Sequence, residues 1–203
     1  MNRLKQTSVW PVTGMLMLGA ITLATEPARA ADGDAAKIAR GKYLVTTAAC
    51  NDCHTPWHVG PAGPEPDMSR MLSGHPQSVV IAQPAKLPPG PWTLAAAPTN
   101  TAWSGAWGVS FTANLTPDKE TGLGNWTEEM FVKAIRTGRH MGTSRPINPP
   151  MPWPAFRNFS DEDLHAVWSY LRTLKPMTNH VPDYVPPPAT TASIAAIGEE
   201  ARR

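Results

Sequence analysis

The sequence predicts a mainly α fold: a single domain of a few helices, carrying a long loop or hairpin insertion rich in Pro, Gly and Trp. Three observations lead there. Apolar residues recur at helical spacing in three segments, each bounded by capping or breaking residues. Between the first and second segments the periodicity lapses, from Thr55 to about Asn125, and prolines, glycines and tryptophans take over. The 203-residue chain is also only 17% charged, with 23 prolines and eight tryptophans. That composition suits a small, loop-rich globule wrapped around something, not a bundle with a large aliphatic core.

Residues 1–30 read as a secretory signal peptide. Arg3 and Lys5 form a basic start, Val9 to Ala24 is apolar but interrupted by Pro11, Thr13 and Gly14, and Ala28-Arg29-Ala30 offers a small-x-small cleavage pattern. The apolar run is shorter than the roughly twenty residues a spanning helix needs, which favours cleavage over a retained anchor. Cleavage removes Arg3, Lys5, Arg29 and Glu26, turning 18 basic and 16 acidic residues into equal numbers. A neutral mature chain gives no reason to expect nucleic acid or an anionic membrane as a partner. The expected division is a signal peptide over 1–30, one domain over 31–188 with an insertion at about 59–111, and a flexible tail over 189–203.

Within the domain, a first helix is expected from Asp34, its cap, to Ala48, with Ile38, Gly41 and Val45 on one face. In the insertion, Ser78 to Ile81 and Val109 to Thr112 are strand-like and form a candidate hairpin. A loop region this long inside a compact domain is functional or an inserted subdomain. The second helix spans Thr127 to Thr137: Glu128 and Glu129 suit its positive end, Phe131, Ala134 and Ile135 form a stripe, and Gly138 stops it. Prolines then exclude helix around Pro149-Pro150-Met151-Pro152-Trp153-Pro154 and fix an extended path. The last helix opens on Ser160-Asp161-Glu162-Asp163, a capping-box pattern, and carries Leu164, Val167, Trp168 and Leu171 on one face before Pro176. There is no internal repeat.

The chemistry sits in Cys50-Asn51-Asp52-Cys53-His54. Two thiols three positions apart reach the two vinyl groups on one edge of a porphyrin and become thioethers. The next residue then projects its imidazole toward the iron. Other readings explain less. A thioredoxin-like pair belongs at a strand-to-helix junction, zinc needs further ligands at metal spacing, and a plain disulfide leaves His54 unexplained. One covalent haem c is therefore expected, with Cys50, Cys53 and His54 holding it.

The ligand opposite His54 decides between a closed carrier site and an open, substrate-binding one. Candidates are Met68, Met71, Met130, Met141, Met151, Met177, His58, His75, His140, His165 and His180. Met130 lies within a helix and is better read as core, His165 within a helix as packed or solvated, and His58 is too close to His54 to reach the opposite face easily. Met151 stands apart, held between prolines in a rigid loop with ample chain to pass around the ring. Met141 and then His140 follow it. Arg136, Arg139, Arg145 and Trp153 are further candidates, for the haem propionates.

Cys50 to His54 after a helix bearing Gly41 and Tyr43, and Pro149 to Trp153 before an Asp-Glu-Asp-Leu helix containing Tyr170-Leu171-Arg172, resemble the class I cytochrome c fold. Asn114-Leu115-Thr116-Pro117-Asp118, Gly122 to Glu129 and Arg136-Thr137-Gly138 are similar to the haem domains in cytochrome subunits of membrane-associated bacterial alcohol and aldehyde dehydrogenases. The resemblance covers roughly residues 37–58 and 112–182. It implies that the first and last helices cross near Gly41 with Tyr170 or Trp168 packed there, and that Met151 is the distal ligand. Two departures stand out: one haem motif where those subunits typically carry three, and the stretch 59–111.

The expected function is a periplasmic mono-haem electron carrier of a respiratory chain rather than an enzyme. It would pass single electrons from a donor dehydrogenase to an acceptor oxidase or another cytochrome, and meet the membrane only through a partner. The rival is a haem c enzyme, peroxidase-like or sulfur-oxidising. Its substrate pocket would be shaped by the insertion, with His75 or His140 moving protons.

Overall fold

A computed structural model describes residues 26–88 and 90–188; most of the expected signal peptide and the whole 189–203 tail lie outside them. Ten elements follow in chain order: helices α1 (Glu26–Thr47) and α2 (Cys50–His54), strands β1 (Trp57–Gly60), β2 (Gly63–Pro66), β3 (Leu94–Ala96), β4 (Ala102–Gly105) and β5 (Gly108–Phe111), then α3 (Glu128–Thr137), α4 (Trp153–Phe156) and α5 (Asp161–Leu171). Two single 3₁₀ turns, Met68–Arg70 and His140–Gly142, complete the regular structure of these residues.

The mainly α expectation is overturned. Only 33% of the structure is helix, and two small antiparallel sheets stand beside the helices. The stretch from Trp57 to Phe111, which holds the expected insertion, is the reason. Its first part is a β1-β2 hairpin and its second a three-stranded meander in the order β3-β4-β5. Ser78 to Ile81 forms no strand; Val109 pairs instead with Ser104 of β4, next to the Trp103–Ser110 pair. These strands are three or four residues long and built largely from Ala, Gly and Ser, which carry little strand preference of their own. Packing and the tight link Ala106-Trp107 make the sheet.

The helices obey their sequence signals more closely. Thr127 caps α3 by accepting from the Met130 N–H, and Gly138 ends it in the left-handed region. Ser160 caps α5 by accepting from the Asp163 N–H. Two boundaries differ. The first helix begins at Glu26, ahead of Asp34, so Asp34 is an interior residue rather than a cap. The proline-rich loop also contains one helical turn, α4, because Pro154 falls within its first turn, where a missing N–H costs nothing.

The most extensive helix packing is α1 against α5. Leu44 and Val45 from α1 meet Val167, Trp168, Tyr170 and Leu171 from α5, with Phe131 of α3 and Leu72 and Leu123 from loops closing the core. Phe131 and Trp168 stack at 5.6 Å. Gly41 makes the crossing possible, since a Cβ there would lie 1.9 Å from the Ala166 carbonyl oxygen and 2.8 Å from Tyr170 Cβ. Tyr170, one of the two aromatics expected there, thus fills the space. At the rim, the Arg40 guanidinium makes two bonds to the Asp163 carboxylate, 2.8 and 3.2 Å long, and holds that carboxyl below its ordinary range.

The insertion is fastened to this helical frame at both ends. Trp57 Nε1 and Asn100 Nδ2 both donate to the Asp52 carbonyl inside α2. Buried Asn179 donates to the Ser73 and His75 carbonyls and accepts from the Gln77 N–H. Val185 bridges Val109 of β5 through two backbone bonds, 2.7 and 3.0 Å long.

Substituting Gly41→Ala should destabilise the protein by about 2 kcal/mol, because overpacking against a backbone carbonyl outweighs the better helix propensity of Ala. Gly33→Ala, with open space around it in the same helix, should lose nothing. Urea unfolding of the two variants checks the contrast.

Candidate haem site

The site begins where α1 stops. Ala48 still bonds back to Leu44, but Ala49 adopts φ 59° and turns the chain so that α2 restarts at Cys50. On that short turn Cys50 and Cys53 are three residues apart and share a face, and His54 follows directly. Both cysteines are free thiols. Burial is the main force on each: it pushes the Cys50 thiol up to about 11 and raises Cys53, with Asp52 adding to both. Reactive Cys-x-x-Cys pairs have the opposite property, a thiol lowered into the thiolate range.

His54 is buried, and its Nδ1 donates to the Ala113 carbonyl at 2.8 Å. Burial lowers its pKa and keeps the ring neutral, while the carbonyl partly opposes that. A donor role for Nδ1 fixes the tautomer and leaves the lone pair on Nε2, which makes no hydrogen bond within the described residues. Neutral imidazole, oriented from behind by a carbonyl, is the arrangement of a metal-bound histidine.

Ala113 is itself held rigidly. Gly74 N–H bonds the His54 carbonyl, His75 N–H bonds Thr112, and Leu115 N–H bonds Leu72. The adjacent Asn114 is nearly sealed from solvent. It accepts from the Thr116 N–H and hydroxyl and donates to Thr121 Oγ1 and the Met177 carbonyl. Within the similarity pattern Asn114-Leu115-Thr116-Pro117-Asp118 nothing local marks this role for Asn114, whose partner Met177 lies 63 positions away.

Met151 is half-buried in a cleft of about 430 Å³ lined by Ile147 and the run Pro149 to Ala155. The lining is almost wholly apolar, apart from backbone carbonyls. Trp153 closes the end of α3: a Cβ on Gly138 would lie 2.2 Å from its ring. Two free thiols on one turn, a neutral histidine with Nε2 unspent, and a thioether in an apolar cleft suit a covalent haem. No cluster of three or more His, Cys, Asp or Glu gathers among the described residues to hold a bare metal ion.

Most other candidates have structural occupations. His75 is fully buried, with Nε2 donating to the Val79 carbonyl at 2.8 Å and Nδ1 paired with Thr101 Oγ1 at 2.9 Å. Burial also keeps it neutral, so it has no nitrogen left to move protons for a substrate. His140 packs edge-on against Trp126 and contacts Ser144. His165 pairs with Glu128, and His58 with Glu65 across the hairpin. Met68 is mostly exposed, Met71 packs on the helical core, and the Met177 backbone bonds Thr116 and Asn114. Arg136 donates to the Arg157 and Phe159 carbonyls and to Asp161. Arg139 donates to Ser144. Arg136 therefore ties α3 to the start of α5 instead of serving a haem propionate.

The family model described as Cytochrome c matches residues 38–175. The chain is 30% identical over 86% of its length to the cytochrome c subunit of the quinone alcohol dehydrogenase of Gluconobacter oxydans, covering 29% of that subunit. It is 27% identical over 87% of its length to the fructose dehydrogenase cytochrome subunit of Gluconobacter japonicus, covering 30% of it. A shorter segment, 31% of the chain, is 38% identical to the gluconate 2-dehydrogenase cytochrome c subunit of Pantoea cypripedii. The chain thus spans less than a third of the length of these relatives.

Asn114→Ala strips four hydrogen bonds from the segment that anchors His54 and should cost about 2–4 kcal/mol in urea unfolding. The exposed Asn125→Ala, which loses one bond to the Lys119 carbonyl, should cost under about 1 kcal/mol. With its paired thiols and carbonyl-oriented histidine lying inside the matched span, the chain belongs to the cytochrome c family.

Proposed function

We propose that this chain is an exported, mono-haem cytochrome c that takes single electrons from a dehydrogenase and passes them to a downstream acceptor. The observation that carries the reading is His54: a buried, neutral imidazole with Nδ1 spent on Ala113 and Nε2 free, on the same turn as two free thiols. Family membership implies a covalently held haem c. The count of one follows from a sequence with two cysteines in one motif.

When bound, the haem supplies a reversible one-electron couple. The protein's residues do the rest. Cys50 and Cys53 tether the ring to α2, and His54 is held in one orientation by its bond to Ala113, so a change of charge need not move it. Met151 offers a soft thioether that favours the reduced metal, in an open cleft lined by prolines and Trp153.

Support for a dehydrogenase as the donor comes from the relatives, which are cytochrome subunits of alcohol, fructose and gluconate dehydrogenases. The acceptor we propose is an oxidase or another cytochrome. A periplasmic location rests on the signal-like residues 1–30. No helix of the described residues is long and apolar enough to cross a membrane, and we assign membrane contact to a partner.

The mature protein, made with a working haem-attachment system, should carry one haem mass that survives denaturation; its loss in Cys50→Ala/Cys53→Ala tests attachment. In Met151→Ala the haem should stay attached, while the oxidised protein loses its sulfur-to-iron charge-transfer band and becomes high-spin. An unchanged spectrum would remove Met151 from the ligand set.

A further inference from the structure

The inserted sheet reaches the Met151 loop at one polar contact. Ser110 on β5 is buried, and its hydroxyl donates to the Pro149 carbonyl at 2.5 Å, two residues before Met151. A hydroxyl has one proton. Its other carbonyl neighbour, Trp103, lies at 3.4 Å, so the proton belongs to Pro149. Trp107 Nε1 donates into the same oxygen at 3.2 Å, which fills a lone pair and strengthens the outgoing bond.

The sheet behind Ser110 is itself backed. Val109, its neighbour, is bonded in both directions to Val185. The Tyr184 hydroxyl donates to the Trp107 carbonyl. Gly108 lies so close to the C-terminal segment that a Cβ would sit 2.1 Å from the Val185 carbonyl oxygen. A continuous path therefore runs from residues 184–185 through β5 to the Met151 loop, where the one backbone bond of Met151 among the described residues is a 3.4 Å bond to Asn148.

We propose that Ser110 is a positioning residue for the Met151 loop: the inserted sheet uses this hydroxyl to hold the loop closed and so to keep the Met151 thioether in place. The inference rests on Met151 being the distal ligand. It gives residues 59–111 a purpose that needs no substrate, since the insertion braces the loop from outside the helical frame.

Imidazole, a small ligand that displaces a haem-bound thioether only when the loop opens, reads the effect directly. Its apparent affinity is reduced by the fraction of protein in the open state. Ser110→Thr and Ser110→Val differ only in the hydroxyl. In the oxidised, haem-loaded protein, the Val variant should bind imidazole about five- to tenfold more tightly than the Thr variant, and Thr should match the parent. Ser110→Ala should shift the same way and guards against a fold defect from added bulk. Ser104→Ala removes a hydroxyl from the same sheet that bonds Ala85 instead, and should leave the affinity unchanged. Equal affinities for Thr and Val, or an equal shift in Ser104→Ala, overturn the brace while leaving Met151 as ligand. Parent protein without a sulfur-to-iron charge-transfer band, and with the imidazole affinity of Met151→Ala, overturns the ligand assignment itself and the brace with it.

Discussion

The hydrogen bond from His54 Nδ1 to the Ala113 carbonyl joins residues 59 positions apart, and much of the structure is arranged to make it possible. One side of the bond comes from the end of the α1-α2 unit, turned by Ala49. The other comes from the first irregular residues after β5. Because a buried imidazole is neutral and has one N–H to give, this bond also determines which nitrogen remains available. The chain between the two partners is the insertion, so the insertion closes on the site at both of its ends.

Around that bond the protein separates two kinds of work. The α1-α5 crossing supplies the apolar burial, and Gly41 sets how close the two helices come. Buried amides supply the alignment of irregular chain: Asn114 holds the segment behind His54, and Asn179 joins the 73–77 turn to the C-terminal segment. Loops that are buried without a ladder must satisfy their backbone groups through side chains, and these two residues meet much of that need. Among the described residues, three buried polar atoms have no partner: Ser73 Oγ, Trp103 Nε1 and Thr112 Oγ1. Trp103 lies in β4 itself, and Thr112 directly follows β5.

The raised thiols give the cysteine pair its character. A Cys-x-x-Cys motif serves redox exchange when a helix terminus and nearby cations lower one thiol. Here burial and Asp52 act the other way. The same four-residue spacing thus sits here in surroundings that disfavour the thiolate.

The Cys-x-x-Cys-His run and the capped ends of α3 and α5 could be read from the sequence, because each depends on residues a few positions apart; the crossing at Gly41, whose partners Ala166 and Tyr170 lie far along the chain, came only from the family resemblance. Thr127 and Ser160 cap their helices through their own side chains, and Cys50, Cys53 and His54 share one turn whatever lies around them. The mainly α reading failed for the complementary reason. Strands of Ala, Gly, Ser and Trp only three or four residues long have no local signal, and exist because β4 is paired on both sides and β5 rests against Val185. Likewise the Ala113 carbonyl, the Ser110 hydroxyl and the occupied nitrogens of His75 are set by neighbours dozens of residues away. Local chemistry announces itself in spacing; a hydrogen bond across the fold exists only once the chain has closed around it.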